Sequence, residues 1–380
     1  MIESAYIHIP FCHHICHYCD FNKFFFEGQP VDEYLASLKK EMTLAMDKYP
    51  AERLKTIFVG GGTPTALNEK QLETLCRNIR EVLPFDQGEF TFEANPGDLS
   101  IEKLKILKEY GVNRLSYGVQ SFNDELLKRI GRSHKAEDVY ASIANAEKAG
   151  FDNISIDLIY SLPGQTLADF KETVEEALRF GLPHYSGYSL IVEPKTVFYN
   201  LMRKGKLLLP TEETEAEMYG LLMEKMEVSG LKQYEISNFA KPGFESRHNL
   251  VYWNNEQYFG FGAGAHSYTK DSRNSNYGPL KKYMLPLEED QLPFMEQHKV
   301  TIAEKMEEEM FLGLRKTEGV SIELFEQKFG ESMMDIFNAP IIEMSERQLV
   351  EIDNGHLKLT REGKFLGNEV FQSFLGVIQS

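Results

Sequence analysis

Strand-like and helix-like segments alternate about six times between residue 4 and about residue 192. The helix-like segments are amphipathic: over residues 31–49, apolar side chains recur at three- and four-residue steps and form one stripe. The strand-like runs are AYIHIPF, LKTIFVGG, GEFTFEANP, RLSYGVQSF, NISIDLIYSLP and HYSGYSLIV. This order predicts an α/β fold with parallel strands joined by crossover helices, either an open doubly wound sheet or a full or partial α/β barrel.

Polar and glycine-rich residues sit at the ends of nearly all of these strands. GGGTP follows the second strand, EANPGD ends the third, QSFND the fourth and LPGQT the fifth. The carboxyl ends of parallel strands converge on the ligand site of α/β folds. We therefore expect one shared cavity at this edge, and the cysteine-rich stretch after the first strand opens onto the same face.

The charge of the chain argues against nucleic acid as a partner, and its hydropathy argues against a membrane-spanning segment. The formal net charge is -17, from 58 acidic and 41 basic residues, so the surface as a whole repels a phosphate backbone and nucleic acid is not an expected partner. No apolar run approaches the roughly 20 residues that a bilayer span requires. The start, MIESAYIHIPF, lacks the features of a secretion signal, so we expect a cytoplasmic protein.

The pattern changes after about residue 200. A helical segment over residues 212–228 precedes a stretch rich in aromatic residues and glycines, which carries the single tryptophan, Trp253. From about residue 300, helices surround a short hairpin. We expect three parts: an α/β part over residues 1–200, an α+β extension over 201–290 and a small helical, winged-helix-like domain over 291–380, whose acidity argues against DNA binding.

Three of the four cysteines, Cys12, Cys16 and Cys19, lie within eight residues in CHHICHYCDF. In a long cytoplasmic chain such a cluster indicates a metal or redox site rather than a disulfide. Three thiolates suit a 4Fe-4S cluster with one open iron, or zinc if one histidine completes a tetrahedron. The histidines available for zinc are His13, His14 and His17. The fourth cysteine, Cys76, lies on the apolar face of a predicted helix and is expected to be a core residue.

The spacing C-x3-C-x2-C, with Tyr18 before the last cysteine, resembles the cluster motif of radical S-adenosylmethionine (SAM) proteins. That resemblance implies a partial (β/α)6 radical SAM barrel in which SAM chelates the open iron of a 4Fe-4S cluster. The GGGTP segment, residues 60–64, resembles the part that receives the methionine amino end of SAM, where glycines let the backbone approach a ligand closely.

Further shared segments narrow the resemblance to the oxygen-independent coproporphyrinogen III oxidase group and its relatives. They are YIHIPFC, GGGTPT, FEANP, RLSYGVQSF, IGRSH and DLIYSLPGQT, and they extend the likeness over nearly the whole chain. The positions that this likeness implies for SAM binding are Tyr6, Tyr18, Gly61, Gly62, Thr63, Glu93, Gln120, Arg132 and Asp157. Their chemistry suits the task, since carboxylates accept from an ammonium or a ribose and a guanidinium clamps a carboxylate.

Two departures separate the chain from the decarboxylating oxidases of that group. Those oxidases carry a fourth cysteine two residues after the third, where this chain has Phe21, and a long N-terminal extension, whereas only five residues precede Tyr6 here. Both features are similar to the sister family of haem chaperones. HNLVYW, residues 248–253, is similar to the H-N-x-x-Y-W motif that this family associates with haem binding.

This second resemblance implies a protein that binds haem and delivers it to apo-proteins, in particular respiratory haem enzymes at the inner face of the membrane. The residues implied for haem are His248, Tyr252 and Trp253, because haem takes an axial imidazole and a flat aromatic surface. His266 is a further candidate for either haem or SAM. The alternatives left open are a radical SAM oxidase that decarboxylates coproporphyrinogen III and a zinc-stabilised interaction protein.

Overall fold

A sheet of nine strands forms the centre of the protein in the computed structural model, which describes residues 1–378. The strands of the whole chain are β1 (Ser4–Ile9), β2 (Phe11–Cys12), β3 (Phe24–Phe25), β4 (Thr56–Gly61), β5 (Glu89–Ala94), β6 (Arg114–Gln120), β7 (Asn153–Tyr160), β8 (His184–Ser189), β9 (Lys232–Glu235), β10 (Asn238–Ala240), β11 (Phe259–Phe261), β12 (His266–Thr269), β13 (Ser272–Asn276), β14 (Phe294–Lys299), β15 (Val320–Ser321), β16 (Val350–Asp353) and β17 (His356–Leu359).

Helices connect the parallel strands and build the C-terminal part. They are α1 (Val31–Lys48), α2 (Glu69–Val82), α3 (Ile101–Glu109), α4 (Asp124–Arg129), α5 (Ala136–Lys148), α6 (Leu167–Leu178), α7 (Val197–Arg203), α8 (Glu212–Val228), α9 (Arg247–Trp253), α10 (Leu280–Glu288), α11 (Ile302–Gly313), α12 (Ile322–Phe329), α13 (Met333–Ile336), α14 (Asn338–Glu346), α15 (Arg361–Phe365) and α16 (Gly367–Ser373). A 3₁₀ helix, Pro64–Ala66, precedes α2. No helix within residues 1–378 is both long and apolar enough to cross a bilayer.

The strand order of the main sheet decides between the two predicted α/β architectures. The order is β11-β1-β4-β5-β6-β7-β8-β10-β9, and the pairs from β11 to β8 are parallel. Each long strand from β1 to β8 lies beside the next one in the chain, whereas a doubly wound sheet reverses its order at a switch point. The sheet therefore winds in one direction as a partial barrel, and the six predicted strands are confirmed.

Helix α1 shows how sequence pattern becomes packing here. Its apolar stripe, which includes Tyr34, Leu35, Leu38 and Met42, is buried against the sheet. Helix α2 begins at a capping box in which Asn68 and Gln71 satisfy each other's free backbone N–H groups, and its Cys76 is buried in the core as predicted. The crossover helices thus cover the outer face of the barrel.

Beyond β8 the chain completes the main sheet before it forms a separate core. Strands β9 and β10 extend one edge of the sheet in antiparallel fashion, and β11 pairs with β1 at the other edge. A second hydrophobic core, from Met306 to Phe374, joins α11–α16 to the small sheet β15-β17-β16. The boundaries at residues 200 and 290 stay a prediction, since strands from beyond residue 200 belong to the barrel sheet.

Candidate functional site

A cavity of about 430 Å³ opens at the carboxyl ends of the parallel strands. Its wall combines the loop after β1 with the ends of β4, β5, β6, β7 and β8, as the strand-end pattern predicts. The sequence-predicted residues that line it are Cys12, Cys16, Tyr18, Cys19, Gly61, Gly62, Thr63, Glu93, Gln120, Arg132 and Asp157. Of the residues predicted for SAM, Tyr6 does not line this cavity.

The three clustered cysteines surround one end of the cavity. Cys12 ends strand β2 and is buried, while Cys16 and Cys19 lie half-buried in the following loop, where the Cys19 N–H donates to the Cys16 carbonyl over 3.3 Å. Burial raises the pKa of the Cys12 thiol, and it raises the pKa of Cys19 to about 11. The free thiols of Cys12 and Cys19 therefore stay protonated at neutral pH, and a bound metal must displace those protons.

A chain of hydrogen bonds connects two of these thiols through residues that follow β4, β5 and helix α4. Thr63 Oγ1 donates to Cys12 Sγ over 3.5 Å and accepts from the Asn95 side chain over 3.1 Å. Arg132 continues the chain, because it donates to Asn95 Oδ1 over 2.7 Å and to Cys16 Sγ over 3.4 Å. The network fixes the two sulfurs relative to one another and brings a positive charge next to Cys16.

Asn95 is the central member of this chain, and sequence reasoning did not single it out. Its amide also donates to Asp98 Oδ2 over 3.2 Å, so the side chain contacts three partners at once. The only signal was its place in EANPGD, at the end of the third predicted strand. From sequence alone, an asparagine at this position cannot be distinguished from one whose side chain only stabilises a turn.

The glycine run at the end of β4 is required by close contacts on three sides. A Cβ on Gly60 would lie 2.6 Å from Glu93 Oε2, and one on Gly61 would lie 2.2 Å from the ring of the buried His8. A Cβ on Gly62 would lie 2.8 Å from the carbonyl oxygen of Ile9. Gly61 also has a φ of 108°, which side-chain-bearing residues rarely adopt. The three glycines therefore allow the backbone of this cavity wall to lie directly against β1.

Two carboxylates line the cavity, Glu93 on β5 and Asp157 on β7, the strands on either side of β6. Glu93 accepts a hydrogen bond from the Gly61 N–H over 3.0 Å, and burial raises the pKa of this carboxyl to about 7. Asp157 accepts from Ser116 Oγ over 3.0 Å, and burial raises its pKa as well. A cationic ligand in the cavity would favour the ionised form of both groups.

The remaining predicted SAM residues occupy different depths of the barrel. Gln120 ends β6 with a φ of 67°, next to an irregularity in the pairing with β7, and is buried. Tyr18 is half-buried against an apolar cluster of α4 and neighbouring loops. Tyr6 lies deeper in the barrel, where its hydroxyl pairs with His8 Nδ1 over 2.9 Å and its ring stacks on Phe58.

The zinc alternative gains no support from the described residues. Within residues 1–378, no three His, Cys, Asp or Glu side chains converge on one point that could hold a metal ion. A zinc site needs its ligands about 2 Å from a shared centre, whereas a cubane takes its thiolates at separate irons. Two of the three histidines considered for zinc also have other partners: His13 Nε2 bonds the Ala66 carbonyl, and His17 Nδ1 bonds the Arg129 carbonyl.

The segment HNLVYW forms helix α9, which lies below the barrel at the amino ends of β4 and β5, opposite the cysteines. Glu89, the first residue of β5, accepts from the backbone N–H groups of Arg247 and His248, each over 2.9 Å. The buried His248 ring pairs through Nδ1 with Thr56 Oγ1 and through Nε2 with the Tyr252 hydroxyl, both over 2.8 Å. Neither ring nitrogen is free to bind iron in this arrangement.

The other two residues predicted for haem also have protein partners. Tyr252 packs edge-on against Tyr258, with ring centroids 4.7 Å apart. Trp253 lies under the guanidinium of Arg315, which is 4.7 Å from the indole centroid. His266 is exposed at the start of β12 and does not line the cavity. The structure thus gathers the cluster cysteines and eight of the nine predicted SAM residues at one end of the barrel and the haem motif at the other, while Tyr6 lies deeper inside.

Comparisons with known proteins agree with this architecture. The profile of the radical SAM superfamily matches residues 6–177, and that of the HemN C-terminal domain matches residues 300–366. A protein of Bacillus subtilis (strain 168) named heme chaperone HemW is 57% identical over 377 residues, which cover 99% of this chain and 100% of that protein. The HemW of Lactococcus lactis is 47% identical, over 98% of this chain and 97% of its own length.

A solved structure extends the likeness to the fold. The coproporphyrinogen III oxidase HemN from Escherichia coli, described as a radical SAM enzyme, superposes with a TM-score of 0.86 at 25% sequence identity. The match covers 99% of this chain and 91% of that one. The barrel and the C-terminal part are therefore shared with this structure, while the relatives that are 57% and 47% identical are named HemW. The chain belongs to the HemW family of the radical SAM superfamily.

Proposed function

We propose that this protein is a haem chaperone that carries a 4Fe-4S cluster on Cys12, Cys16 and Cys19, binds SAM in the cavity beside it, and delivers haem to apo-proteins. The observation that carries the cluster and SAM assignment is the convergence of the three cysteines and eight predicted SAM residues on one cavity. The haem assignment is supported by the names of relatives that match the chain over nearly its whole length.

In this proposal the protein residues position the cofactors. Thr63, Asn95 and Arg132 hold the sulfurs of Cys12 and Cys16 in place through one hydrogen-bond chain. A reduced 4Fe-4S cluster, when bound, supplies the electron that cleaves the sulfonium of SAM. The chain's own part is to orient the ligand and to keep the site partly shielded from water.

The two carboxylates would recognise the positive charges and hydroxyls of SAM. Glu93, with its pKa near 7, ionises in response to a nearby cation and then pairs with it. Asp157, held by Ser116, is placed to accept from a ribose hydroxyl. The Arg132 guanidinium, which lies next to Cys16, would pair with the carboxylate of SAM.

The family resemblance also suggests where the protein acts. We propose a cytoplasmic protein that reaches the inner face of the membrane peripherally and delivers haem to respiratory apo-enzymes there. The net charge of -17 supports the exclusion of nucleic acid as a partner. A reductant protein is required if SAM is cleaved.

The second candidate is a radical SAM oxidase acting on coproporphyrinogen III, which the full-length match to HemN favours. The resemblance argues against it, because Phe21 stands where such oxidases have a further cysteine. The proposed function is tested by purifying the protein without oxygen, measuring iron and sulfide, and titrating it with haem. Haem binding by a brown, cluster-containing protein is the expected result; conversion of coproporphyrinogen III to protoporphyrinogen in the presence of SAM and reductant would favour the oxidase instead.

A further inference from the structure

One segment beside the cysteine loop has a charge opposite to that of the chain. Residues 194–211, which contain α7 and are called the basic segment below, carry four cations and no acidic residue, although the whole chain has a net charge of -17. The cations are Lys195, Arg203, Lys204 and Lys206, and all four are exposed. None of the four takes part in an ion pair within residues 1–378. The basic segment therefore presents positive charge that no carboxylate of the described chain neutralises.

Large apolar side chains are exposed among these cations. Val197 is 46% exposed, Met202 is 42% exposed and Leu208 is 78% exposed. The Leu208 carbonyl accepts from the Gly164 N–H over 3.0 Å, so the part of the segment that follows α7 is held against the loop after β7. Exposed apolar groups bordered by charge are typical of a surface that binds another macromolecule.

The basic segment is attached to the loop that carries the cysteines. The N–H of Phe198, in the first turn of α7, donates to the His17 carbonyl over 3.1 Å, and the two rings pack edge-on with centroids 5.9 Å apart. His17 lies between Cys16 and Cys19 in the chain. Phe198 also shares an apolar cluster with Tyr18, which precedes Cys19. A macromolecule bound to α7 would therefore lie directly beside the cysteine loop.

The charge and the position of the basic segment together indicate the kind of partner. A 4Fe-4S cluster receives its electrons from outside the chain, and electron transfer is efficient only over short distances. The net charge of -17 would repel an acidic protein everywhere except at a basic surface, and complementary charge speeds the encounter of two proteins and orients them. An anionic membrane would also match cations and apolar side chains, but it has no need to lie beside the cluster. The position thus favours a redox protein.

We propose that the basic segment is the docking surface for a small acidic one-electron donor protein, which carries a flavin or an iron–sulfur group and reduces the cluster. The inference rests on the proposed 4Fe-4S cluster on Cys12, Cys16 and Cys19. One electron passes from the reduced donor to the oxidised cluster, the donor is oxidised by one electron, and no bond forms or breaks in this step. The complex should be small and short-lived, as electron-transfer complexes commonly are.

The test measures cluster reduction and donor binding with the anaerobically purified, cluster-containing protein. The probe is flavodoxin, mixed as its hydroquinone in a stopped-flow instrument and followed through its semiquinone. The variant Arg203→Glu with Lys204→Glu should react at least about ten-fold more slowly, and the wild-type rate constant should fall as salt is added. Calorimetric titration with oxidised flavodoxin should show weaker binding by the same variant.

A matched control reverses two exposed cations at the other end of the barrel. Lys148 ends α5 and Lys232 starts β9, both at the amino ends of the strands and opposite the cysteines. The variant Lys148→Glu with Lys232→Glu should react and bind like the wild type. For the apolar part of the surface, Leu208→Asp should slow the reaction, whereas Val228→Asp, at an 81% exposed position at the end of α8, should not.

Dithionite, a small reductant, should reduce the cluster of every variant at the same rate, so that slow reduction by flavodoxin alone reports on docking. Equal rate constants and equal affinities of the wild type and the Arg203/Lys204 variant, both loaded with iron, overturn the inference. If that variant instead loses binding to vesicles that contain phosphatidylglycerol, while flavodoxin reduces it normally, the basic segment is a membrane contact and the inference is wrong. A wild-type protein that retains no iron and sulfide would refute the proposed function itself.

Discussion

Replacing His248 with glutamine tests the role of α9 as the closure of the barrel. Glutamine cannot span Thr56 and Tyr252 at once, so at least one buried partner loses its hydrogen bond, at a cost of about 1–3 kcal/mol. Loss of the ring stacked on Phe58 adds about 0.5–1.5 kcal/mol. The free energy of unfolding should therefore fall by roughly 1.5–4.5 kcal/mol at pH 7.5.

The pH dependence of that difference gives the sharper prediction. Burial, with a smaller contribution from the Arg114 guanidinium, lowers the pKa of His248 to about 3 in the folded protein. Below its ordinary pKa of about 6.5 the imidazole is protonated in the unfolded chain and neutral in the folded one. The unfolded state then binds more protons, so this group's contribution to stability is lost as the pH falls below about 6.5.

The size of this loss follows from the unfolded chain, because the folded ring stays neutral at pH 5. Between pH 7.5 and pH 5 the wild type loses about 2 kcal/mol through His248, and the glutamine variant loses none of it. The penalty of the substitution should therefore shrink by about 2 kcal/mol over this interval. The other buried histidines, His8, His134 and His184, are common to both proteins and cancel in the comparison.

The assay is urea unfolding at both pH values, followed by circular dichroism and by fluorescence of Trp253, the single tryptophan, which lies in α9. Trp253 reports whether α9 leaves the barrel before the rest of the protein unfolds. A variant as stable as the wild type, or a penalty that is the same at both pH values, would refute the account of His248 as a buried neutral anchor.

Three further substitutions test the cavity, and a fourth, at Cys76, is a control outside it. Cys16→Ser should abolish the cluster absorbance while Cys76→Ser, a buried helix residue, should keep it; a colourless Cys76 variant contradicts the three-thiolate assignment. Asn95→Ala should weaken cluster retention, measured as iron content, and lower the free energy of unfolding in urea by about 1–3 kcal/mol. Normal iron content in this variant would show that the cluster does not need the hydrogen bonds of Asn95. Burial raises the pKa of Glu93 to about 7, so SAM affinity should increase as the pH rises through 7, because the ionised carboxylate pairs with a cation. Calorimetric titration of Glu93→Gln with SAM should show no such increase. If the affinity of both proteins changes equally with pH, Glu93 does not pair with the cation.

The barrel and most of its cavity could be predicted because their signals are local. Alternating apolar periods specify the strands and helices, and residues at successive strand ends must meet in a parallel sheet. Gly61 ends β4 and Thr63 lies two residues beyond it, while Glu93 and Asp157 lie near the ends of β5 and β7. Their convergence follows from the topology alone, without knowledge of any side-chain contact.

The features that escaped prediction depend on contacts between distant parts of the chain. His248 and Thr56 are separated by 192 residues, and no pattern within HNLVYW shows that its imidazole is enclosed. Asn95 connects to Arg132 across 37 residues by hydrogen bonds that composition does not reveal. Strand β11 pairs with β1 although most of the barrel lies between them in the chain. These hydrogen-bond and strand-pairing partners become neighbours only in the folded chain, so local sequence patterns do not reveal them.

As a proposed haem chaperone, this radical SAM protein should hold haem and pass it to an acceptor. The direct measurement is to load the anaerobically purified, cluster-containing protein with haem, mix it with a haem-free acceptor protein, and follow the acceptor's own Soret spectrum. We expect haem to move to the acceptor and no protoporphyrinogen to form from added coproporphyrinogen III. Failure to bind or release haem, together with SAM-dependent formation of protoporphyrinogen, would contradict it.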